Sequence, residues 1–367
     1  MILLDITDGI DDKIINSNDF SDEKSINLKF VNDYENYNII DFFDENITNF
    51  TKGETKYLKC KICEFIGSGS YGKVYKIKIN KKFYALKISE NEKPLNLKLR
   101  YESLLNIEQF KRYVIQFYVC GNINCNKYKY FSIMEYGGNS LKSMIPFNST
   151  EEIKFIMKQL YNIVYLCTVF RLYLTDFKFN NIVINNNDMR LKLIDIYMEC
   201  KSYNPCKECR IVKTYSTLEM DKIKNILDDT DYNHTYHLIP LAIGLIDLLC
   251  KKNFSSIISS LSHKFNINLN LKQIIPLIQV ATYNYEHKSN NLIKKYHNVY
   301  RTKKKIEKKY PIIIDNIFYI TFINMINVRN TYENIISSKK LQNIIYHLFS
   351  VYPEDRTLEP LKKFLNN

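Results

Sequence analysis

The chain has 367 residues, 46% of them hydrophobic, and a net charge of +13. That length can bury a large core and predicts two or three domains or lobes. No apolar stretch is long enough to span a membrane, and the first residues lack the basic region of a signal peptide. The nine cysteines are an odd number, which favours free thiols over a disulfide framework. We therefore expect a reducing, cytoplasmic setting rather than a membrane or a disulfide-stabilised secreted protein.

Residues 1–57 form the first predicted segment, an acidic N-terminal extension that is either partly disordered or packed on the body. Residues 1–56 carry thirteen Asp and Glu against five Lys and Arg, a net charge of −8, so the remaining residues carry +21. An acidic arm before a basic body favours an anionic partner or substrate surface, and an ordinary solvated basic surface explains the charge at least as well.

Strands are predicted for residues 58–136, where short runs of Val, Ile, Tyr and Phe are separated by Gly and Asn-Lys turns. One helical stretch, at 95–110, interrupts them. After Gly137 and Gly138 the periodicity becomes helical. The sequence therefore predicts a strand-rich part followed by a helix-rich part.

Two helices of the second part are predicted most clearly. Ser149-x-x-Glu152 is typical of a capping box and predicts that a long helix begins there. The predicted core face of that helix holds seven apolar residues at helical spacing: Ile153, Ile156, Met157, Leu160, Ile163, Val164 and Cys167. The apolar run 238–250 contains Asp247 and predicts a buried core helix rather than a membrane span.

The stretch 67–88, GSGSYGKVYKIKINKKFYALKI, opens with a glycine pattern that bends around phosphates in two unrelated folds. A dinucleotide-binding loop needs a helix directly after the glycines. Here the next residues alternate as a strand, Asn80-Lys81-Lys82 predicts a turn, and Phe83 begins a second strand. The stretch is therefore predicted to be a β-hairpin whose glycine turn folds its N–H groups over phosphates.

This hairpin, with Val74 followed by Ala85-Leu86-Lys87, resembles the protein kinase superfamily, and the resemblance extends over roughly residues 58–367. It implies a bilobal α+β fold, with a small β-rich N-lobe at 58–136 and a larger α-helical C-lobe at 137–367. It implies that Val74 and Ala85 enclose the adenine of ATP. It also implies that Lys87 pairs with the α- and β-phosphates and with a helix Glu, for which Glu102 is the best candidate and Glu108 the fallback.

The resemblance implies further residues around ATP. FSIMEYGGNSL (131–141) looks like the hinge, with Met134 as gatekeeper and with Glu135 and Tyr136 offering backbone groups to the adenine edge. Val183 would form the floor of the adenine site. The glycine loop completes the implied ATP-binding set: Ile66, Gly67, Ser68, Gly69, Ser70, Tyr71 and Gly72.

LYLTDFKFNNIVI (172–184) resembles the kinase catalytic loop, whose usual form is His-Arg-Asp-Leu-Lys-Pro-x-Asn. Asp176 would orient the substrate hydroxyl and accept its proton, and Lys178 would neutralise charge on the γ-phosphate. A lysine at that offset is typical of Ser/Thr kinases. Asp195 follows an apolar strand and matches the Asp of Asp-Phe-Gly, so Asp195 and Asn181 would hold Mg²⁺.

A structural pair is implied farther along the chain. Thr217-Leu218-Glu219 resembles the Ala-Pro-Glu that closes the activation segment, and Arg356, within 351–365, resembles the partner of Glu219. A buried Arg–carboxylate pair would be bidentate and would anchor the segment. Small-molecule kinases of similar fold generally lack this pair, so it favours a protein substrate.

Several positions depart from the family pattern. Leu174-Thr175 replace the usual His-Arg, which predicts activity that does not depend on phosphorylation of the activation loop. Asp-Ile-Tyr replaces Asp-Phe-Gly. Ile196 can still pack there, but Tyr197 lacks the backbone freedom of Gly. His237 stands where an Asp usually caps the catalytic loop.

The cysteines allow a zinc site as an alternative to free thiols. Cys60-x-x-Cys63 and Cys206-x-x-Cys209 have zinc-like spacing, and Cys200 is nearby. The first pair lies on a predicted strand, where positions three apart face opposite sides. The second pair lies in the presumed activation segment. Unpaired thiols are therefore the favoured interpretation.

The segment 288–310, KSNNLIKKYHNVYRTKKKIEKKY, is strongly basic with interleaved Tyr. Such a segment can dock nucleic acid, an acidic substrate or an anionic lipid. A solvated helical face accounts for the same pattern and is favoured.

Together these features predict a Ser/Thr protein kinase that uses ATP and Mg²⁺ to phosphorylate protein hydroxyls. The altered residues near Asp176 and Asp195 leave a pseudokinase, acting as an ATP-binding or protein-docking scaffold, as the alternative. A small-molecule kinase is a third possibility. The divergent motifs, and an abundance of Asn, Ile and Lys that is typical of an AT-rich genome, resemble kinases of large DNA viruses such as insect poxviruses. Protists with AT-rich genomes are the rival source. A viral protein would act in the host cytoplasm or the virion.

Overall fold

A computed structural model of the full chain separates into two units, Met1–Gly138 and Asn139–Asn367. The structure describes residues 2–6, 24–32, 55–69, 72–90, 104–123, 129–170, 173–174, 176–185, 187–196, 198–199, 237–267, 274–275, 277–278, 281, 304, 308–309, 317–349 and 357–366. The described part of the first unit is built mainly of strands, and that of the second mainly of helices. This confirms the predicted α+β class, with a β-rich N-terminal region and a helical C-terminal region.

The first unit is a closed barrel in the strand order β1-β2-β3-β4-β5-β7-β6. Its strands are β1 Ile2–Ile6, β2 Lys24–Asn32, β3 Thr55–Gly69, β4 Gly72–Ile79, β5 Lys82–Ser89, β6 Phe117–Ile123 and β7 Tyr130–Glu135. A short helix, α1 Glu108–Lys111, precedes β6. Neighbouring strands are antiparallel except β1 and β6, which pair in parallel from Ile2 opposite Gly121. The acidic N-terminal segment therefore supplies the two strands, β1 and β2, that close the barrel.

The β4–β5 hairpin follows from its sequence. Tyr75, Ile77 and Ile79 are buried and alternate with less buried polar residues, as expected for a strand with one face on the core. The two-residue loop between the strands has positive φ angles at Asn80 (45°) and Lys81 (68°). Two successive left-handed residues form the turn that matches the twist of a hairpin. The predicted hairpin is confirmed.

The second unit contains two small sheets and most of the described helices. One sheet has the order β11-β10-β8 and the other pairs β12 with β9. The strands are β8 Asn139–Ser140, β9 Tyr173–Leu174, β10 Ile182–Ile184, β11 Leu191–Leu193 and β12 Met198–Glu199. The helices are α2 Leu141–Met144, α3 Thr150–Val169, α4 Leu238–Leu249, α5 Phe254–Phe265, α6 Ile317–Met325, α7 Ser338–Phe349 and α8 Glu359–Leu365.

Helix α3 begins where the capping signal predicts. The Ser149 hydroxyl accepts a hydrogen bond from the Glu152 backbone N–H at 3.3 Å, which satisfies one of the free donors of the first turn. All seven predicted core residues of α3 are buried, together with Gln159. The helix is therefore held by its apolar face, and its predicted start and core face are confirmed.

Helix α4 is buried at every position, which confirms the prediction of a core helix. Its one charged residue, Asp247, has two partners: it forms an ion pair with Lys142 of α2 and accepts the backbone N–H of Phe254 at 2.7 Å. These partners offset the cost of burying a carboxylate. Among the described residues, no helix is both long and apolar enough to cross a membrane.

Candidate functional site

One face of the first unit brings together four residues from three strands, which we call the Lys87 face (Val74, Ala85, Lys87 and Met134). Val74 is paired with Lys87, and Ala85 is paired with Met134. Paired residues point to the same side of a sheet, and positions two apart share that side. Tyr75, which follows Val74 on β4, points to the opposite side of the sheet and is buried in the core. The register therefore gathers an apolar surface around one amine.

Lys87 is the charged member of this face, and only 6% of its surface is exposed. Its strand continues through Leu86 and Ile88, which are both core residues. A buried ammonium group is retained where anionic groups can compensate its charge, because an uncompensated buried charge is costly. The Lys87 face thus combines an apolar surface with a single buried ammonium group.

The glycine loop joins β3 to β4 next to this face, where Gly69 pairs with Gly72. Gly72 has a φ of 148°, and a Cβ there would overlap the Ile88 carbonyl, so only glycine fits. Gly67, paired with Val74, has open space where its Cβ would lie. The fold itself therefore requires glycine at 72, whereas the space at 67 is open to a ligand. Ile66 and Ser68 are exposed beside it.

The end of β7 is fixed by hydrogen bonds between Glu135 and Gln116. The Glu135 N–H donates to the Gln116 carbonyl at 2.8 Å, and the Glu135 carboxylate accepts the Gln116 N–H at 3.0 Å. The next residue, Tyr136, lies under the Lys76 ammonium, which is 4.7 Å from its ring centroid. The segment after Met134 is thereby held in place, and the Glu135 N–H is already used within the protein.

The second unit presents the polar turn (residues 176–181). Asp176 is 8% exposed, and its Oδ2 accepts hydrogen bonds from Lys178 Nζ at 2.7 Å and Asn181 Nδ2 at 2.8 Å. Asn181 Nδ2 also donates to the Asp176 carbonyl at 3.0 Å. Phe177 and Phe179 are buried and anchor the turn on either side of Lys178. The anchoring fixes the carboxylate, the ammonium and the amide relative to one another.

Asp195 lies at the same end of the β10–β11 pair as Asn181. Ile182 is paired with Leu193, and just beyond them the Ile194 N–H donates to the Asn181 carbonyl at 2.9 Å. Asp195 has a left-handed backbone with a φ of 49°. Non-glycine residues rarely adopt this strained conformation, and such residues cluster at functional sites. The fold thus holds Asp195 in an uncommon conformation beside the polar turn.

The oxygen atoms of Asn181 and Asp195 fit a divalent cation of the Mg²⁺ type. Because Asn181 uses Nδ2 to hold Asp176, its Oδ1 is directed elsewhere and makes no hydrogen bond to a described residue. Mg²⁺ prefers hard oxygen ligands and commonly takes one or two from protein, the rest coming from phosphates and water. The described residues contain no cluster of three or more His, Cys, Asp or Glu that could hold a metal.

Other predicted residues lie elsewhere or beyond the described parts. Val183 is buried in β10, paired with Lys192 and Ser140, and Glu108 is exposed at the start of α1. The predicted site and structural residues outside the described residues are Ser70, Tyr71, Glu102, Glu219 and Arg356. The variant positions Thr175 and Tyr197, and all of 288–310 except Lys304, Lys308 and Lys309, also lie outside them.

The first cysteine pair sits at an irregularity of β3. The register between β3 and β4 shifts between Ile62 and Glu64, so the regular alternation assumed for Cys60 and Cys63 is interrupted at Cys63. Both thiols are free. Burial, and then the neighbouring Cys63, raises the pKa of Cys60 to about 12. The second pair, Cys206 and Cys209, lies outside the described residues.

Sequence reasoning missed the residues that support the polar turn. Phe177 and Phe179 alternate with Lys178, and that alternation could have identified them as anchors. Gly244 stands inside an apolar helix, where glycine costs about 1 kcal/mol relative to alanine and so signals a packing requirement. The only sequence signal for the Lys142–Asp247 ion pair was Asp247 itself, a single charged residue in an apolar run.

A comparison with protein families gives one match. A family model described as a protein kinase domain matches residues 60–359, which is more than half of the chain. No curated protein matches the chain. The matched range includes the Lys87 face, the glycine loop, the polar turn and Asp195.

Proposed function

This chain belongs to the protein kinase domain family, and we propose that it is an active Ser/Thr protein kinase that uses ATP and Mg²⁺. Family membership supports phosphoryl transfer to proteins. The observation that carries the finer proposal is the polar turn, in which Asp176 is held by both Lys178 and Asn181. A scaffold that only bound nucleotide would not need this arrangement around a carboxylate.

The first unit supplies nucleotide binding in this proposal. Val74, Ala85 and Met134 offer apolar contacts for adenine. Lys87 offers its ammonium group to the phosphates. Since the Glu135 N–H is used by Gln116, the backbone donor to the base belongs to a later hinge residue such as Gly137.

The second unit supplies the groups for transfer. Asp176 orients the acceptor hydroxyl and takes its proton as the oxygen attacks the γ-phosphorus of ATP, and the bond from that phosphorus to the β-phosphate oxygen breaks to release ADP. Lys178 and Asn181 hold the Asp176 carboxylate in one orientation. This reduces the entropic cost of orienting the carboxylate toward the acceptor hydroxyl. Lys178 also places a positive charge near the oxygens of the transferred γ-phosphoryl group. A lysine at this offset supports Ser or Thr as the acceptor.

Asn181 and Asp195 would hold Mg²⁺ through their oxygen atoms. When bound, the ion neutralises phosphate charge, which is the chemistry that phosphoryl transfer requires. The protein's part is to keep both residues at one end of the β10–β11 pair, through the Ile194 N–H bond to Asn181.

The proposal is tested by incubating the protein with γ-labelled ATP, Mg²⁺ and generic protein substrates. The matched variants are Asp195→Asn, which removes the negative charge of a proposed metal ligand, and Asp188→Asn, which removes that of an exposed carboxylate paired with Arg190. We expect the Asp188 variant to label substrates as the parent does and the Asp195 variant to lose labelling. Equal labelling by all three proteins, or none by the parent, contradicts an active kinase. Phosphoamino-acid analysis then distinguishes Ser/Thr from Tyr acceptors.

We also propose a large DNA virus as the source, with action in the host cytoplasm or the virion. The support is the abundance of Asn, Ile and Lys throughout the chain and the divergence of its motifs. An anionic partner for the basic segment 288–310 is proposed on charge alone. Sequencing the neighbouring genes of the source genome tests the origin.

A further inference from the structure

Gly244 of α4 lies against the ring of Phe179 in the polar turn. A methyl group at Gly244 would overlap the Cδ1, Cε1 and Cζ atoms of that ring. Phe179 is 4% exposed, so its ring is buried. The glycine therefore provides the space that the ring occupies, and no other residue type does so without moving the ring.

We infer that Gly244 is a positioning residue, which sets the place of Lys178 and Asn181 through Phe179. Phe179 begins the 3₁₀ turn Phe179–Asn181 and directly follows Lys178. The Asn181 N–H closes the turn on the Lys178 carbonyl at 2.9 Å. A ring pushed away from α4 carries this backbone with it and disturbs both donors to Asp176. The contact between Gly244 and Phe179 does not depend on the proposed function. The effect of that contact on catalysis rests on the proposed kinase activity.

Helix α4 also reaches the polar turn by a second route. Asp247, three residues after Gly244 and so on the same side of the helix, forms the ion pair with Lys142 of α2. Helix α2 in turn contacts the Phe179–Asn181 turn. The position of α4 thus sets the polar turn directly at Phe179 and indirectly through α2.

Two physical effects give opposite expectations for Gly244→Ala. Alanine is the best helix former and glycine a poor one, so helix propensity alone favours the substitution. Overlap with an enclosed ring opposes it, because a filled core accommodates an added methyl group only by shifting side chains and backbone. A loss of activity therefore cannot come from the helix itself and must come from the contact.

The test compares the parent with Gly244→Ala, Phe179→Leu, the double variant and the control Ala242→Gly. Leucine is smaller than phenylalanine and makes room for the methyl group. The control weakens the same helix without filling space. Two quantities are measured in each protein: kcat and KM for ATP in the phosphorylation assay, and amide hydrogen exchange of a peptide spanning 176–184.

We expect Gly244→Ala to lower kcat about tenfold or more while KM for ATP changes by less than about threefold, since small misplacements of catalytic groups act mainly on turnover. Exchange in 176–184 rises in this variant. The double variant returns both quantities to the values of Phe179→Leu alone, and Ala242→Gly leaves exchange in 176–184 at the parent value.

Parent-like kcat and exchange in Gly244→Ala overturn the inference, and so does a double variant that is no better than Gly244→Ala. If Gly244→Ala does not fold, recovery of folding in the double variant supports the contact and its failure contradicts it. A parent protein that transfers no phosphate refutes the proposed kinase activity, while the exchange measurements still decide whether Gly244 positions the turn.

Discussion

Asp176 receives two hydrogen bonds on one carboxylate oxygen, and the donors differ in what they contribute. Asn181 is neutral and ties the side chain to its own backbone, whereas Lys178 brings a positive charge. Bonds in which the donor or the acceptor is ionised are roughly twice as strong as neutral ones, so the carboxylate strengthens both bonds, and Lys178 alone adds a second charge. Removing the ammonium group therefore tests the charge while the amide still orients the carboxylate.

For Lys178→Met we expect kcat to fall about 100-fold, within the range of general acid–base and electrostatic contributions. The melting temperature should fall only slightly, because Lys178 is partly exposed and Asn181 still donates a hydrogen bond to the buried Asp176 carboxylate. Lys158→Met, a change on the exposed face of α3, is the matched control. Steady-state kinetics and thermal unfolding measure both effects, and a kcat equal to that of the control would exclude a role for Lys178.

The described thiols should differ in reactivity. Burial raises the pKa of Cys60 and Cys250 to about 12, and burial also raises the pKa of Cys167, whereas Cys63 is less buried. At pH 8 we expect alkylation of Cys63 and protection of the four buried thiols, Cys60, Cys120, Cys167 and Cys250, measured by peptide mass spectrometry of the folded protein. Alkylation of all five described thiols after denaturation is the control, and rapid labelling of Cys60 in the folded state would contradict its burial.

The same pKa shifts predict how stability depends on alkaline pH. An unfolded thiol loses its proton near pH 8.5, whereas the buried Cys60 and Cys250 keep theirs until about pH 12. The unfolded state therefore binds fewer protons than the native state in that window, so stability falls as pH rises from about 8.5 to 12. Urea unfolding at several pH values measures this, with Cys60→Ser and Cys250→Ser expected to flatten the decline.

At the scale of elements, β1 closes the barrel by pairing on both of its edges. Leu4 is opposite Phe30 of β2 and opposite Ile123 of β6. A strand paired on both sides has no tolerance for proline, which removes a ladder hydrogen bond and restricts the backbone. The N-terminal strands are therefore part of the barrel of the first unit.

We expect Leu4→Pro to destabilise the full-length protein by about 2 kcal/mol, through the lost backbone bond and the disrupted pairing. Leu4→Ala keeps the N–H and is the matched control. Urea unfolding measures both variants. Equal unfolding midpoints for the proline and alanine variants would show that β1 does not pair as described.

The hairpin and α3 were predictable because their information is local. Alternation, the Asn80-Lys81 turn and the Ser149 cap lie within a few residues of the elements they define. The parallel pairing of β1 with β6 was not predictable, since it joins strands far apart in the chain and leaves no periodic signal in either. The contact between Phe179 and Gly244 was not predicted either, because the two residues are far apart in the chain. Each residue had a local signal, but neither signal indicated the other residue as its partner.

For the whole molecule, the two units carry different parts of the proposed chemistry. The first carries the Lys87 face and the glycine loop, and the second carries the polar turn and Asp195. The resemblance to the kinase family predicted Asp176, Lys178, Asn181 and Asp195 as one set, and the structure places all four around the polar turn and the adjoining end of β10–β11. The contacts by which α2 and α4 support the polar turn could be identified only from the folded structure.

The central claim is that the protein transfers phosphate and does more than bind nucleotide. The most direct measurement is the initial rate of γ-phosphate transfer at saturating Mg²⁺ and ATP for the parent and Asp176→Asn, beside ATP binding measured by calorimetry. We predict a fall in transfer of at least about 100-fold with ATP affinity changed by less than about threefold, because Asp176 acts on the hydroxyl rather than on the nucleotide. Equal transfer rates in the two proteins, or ATP binding by the parent without any transfer, would contradict the claim.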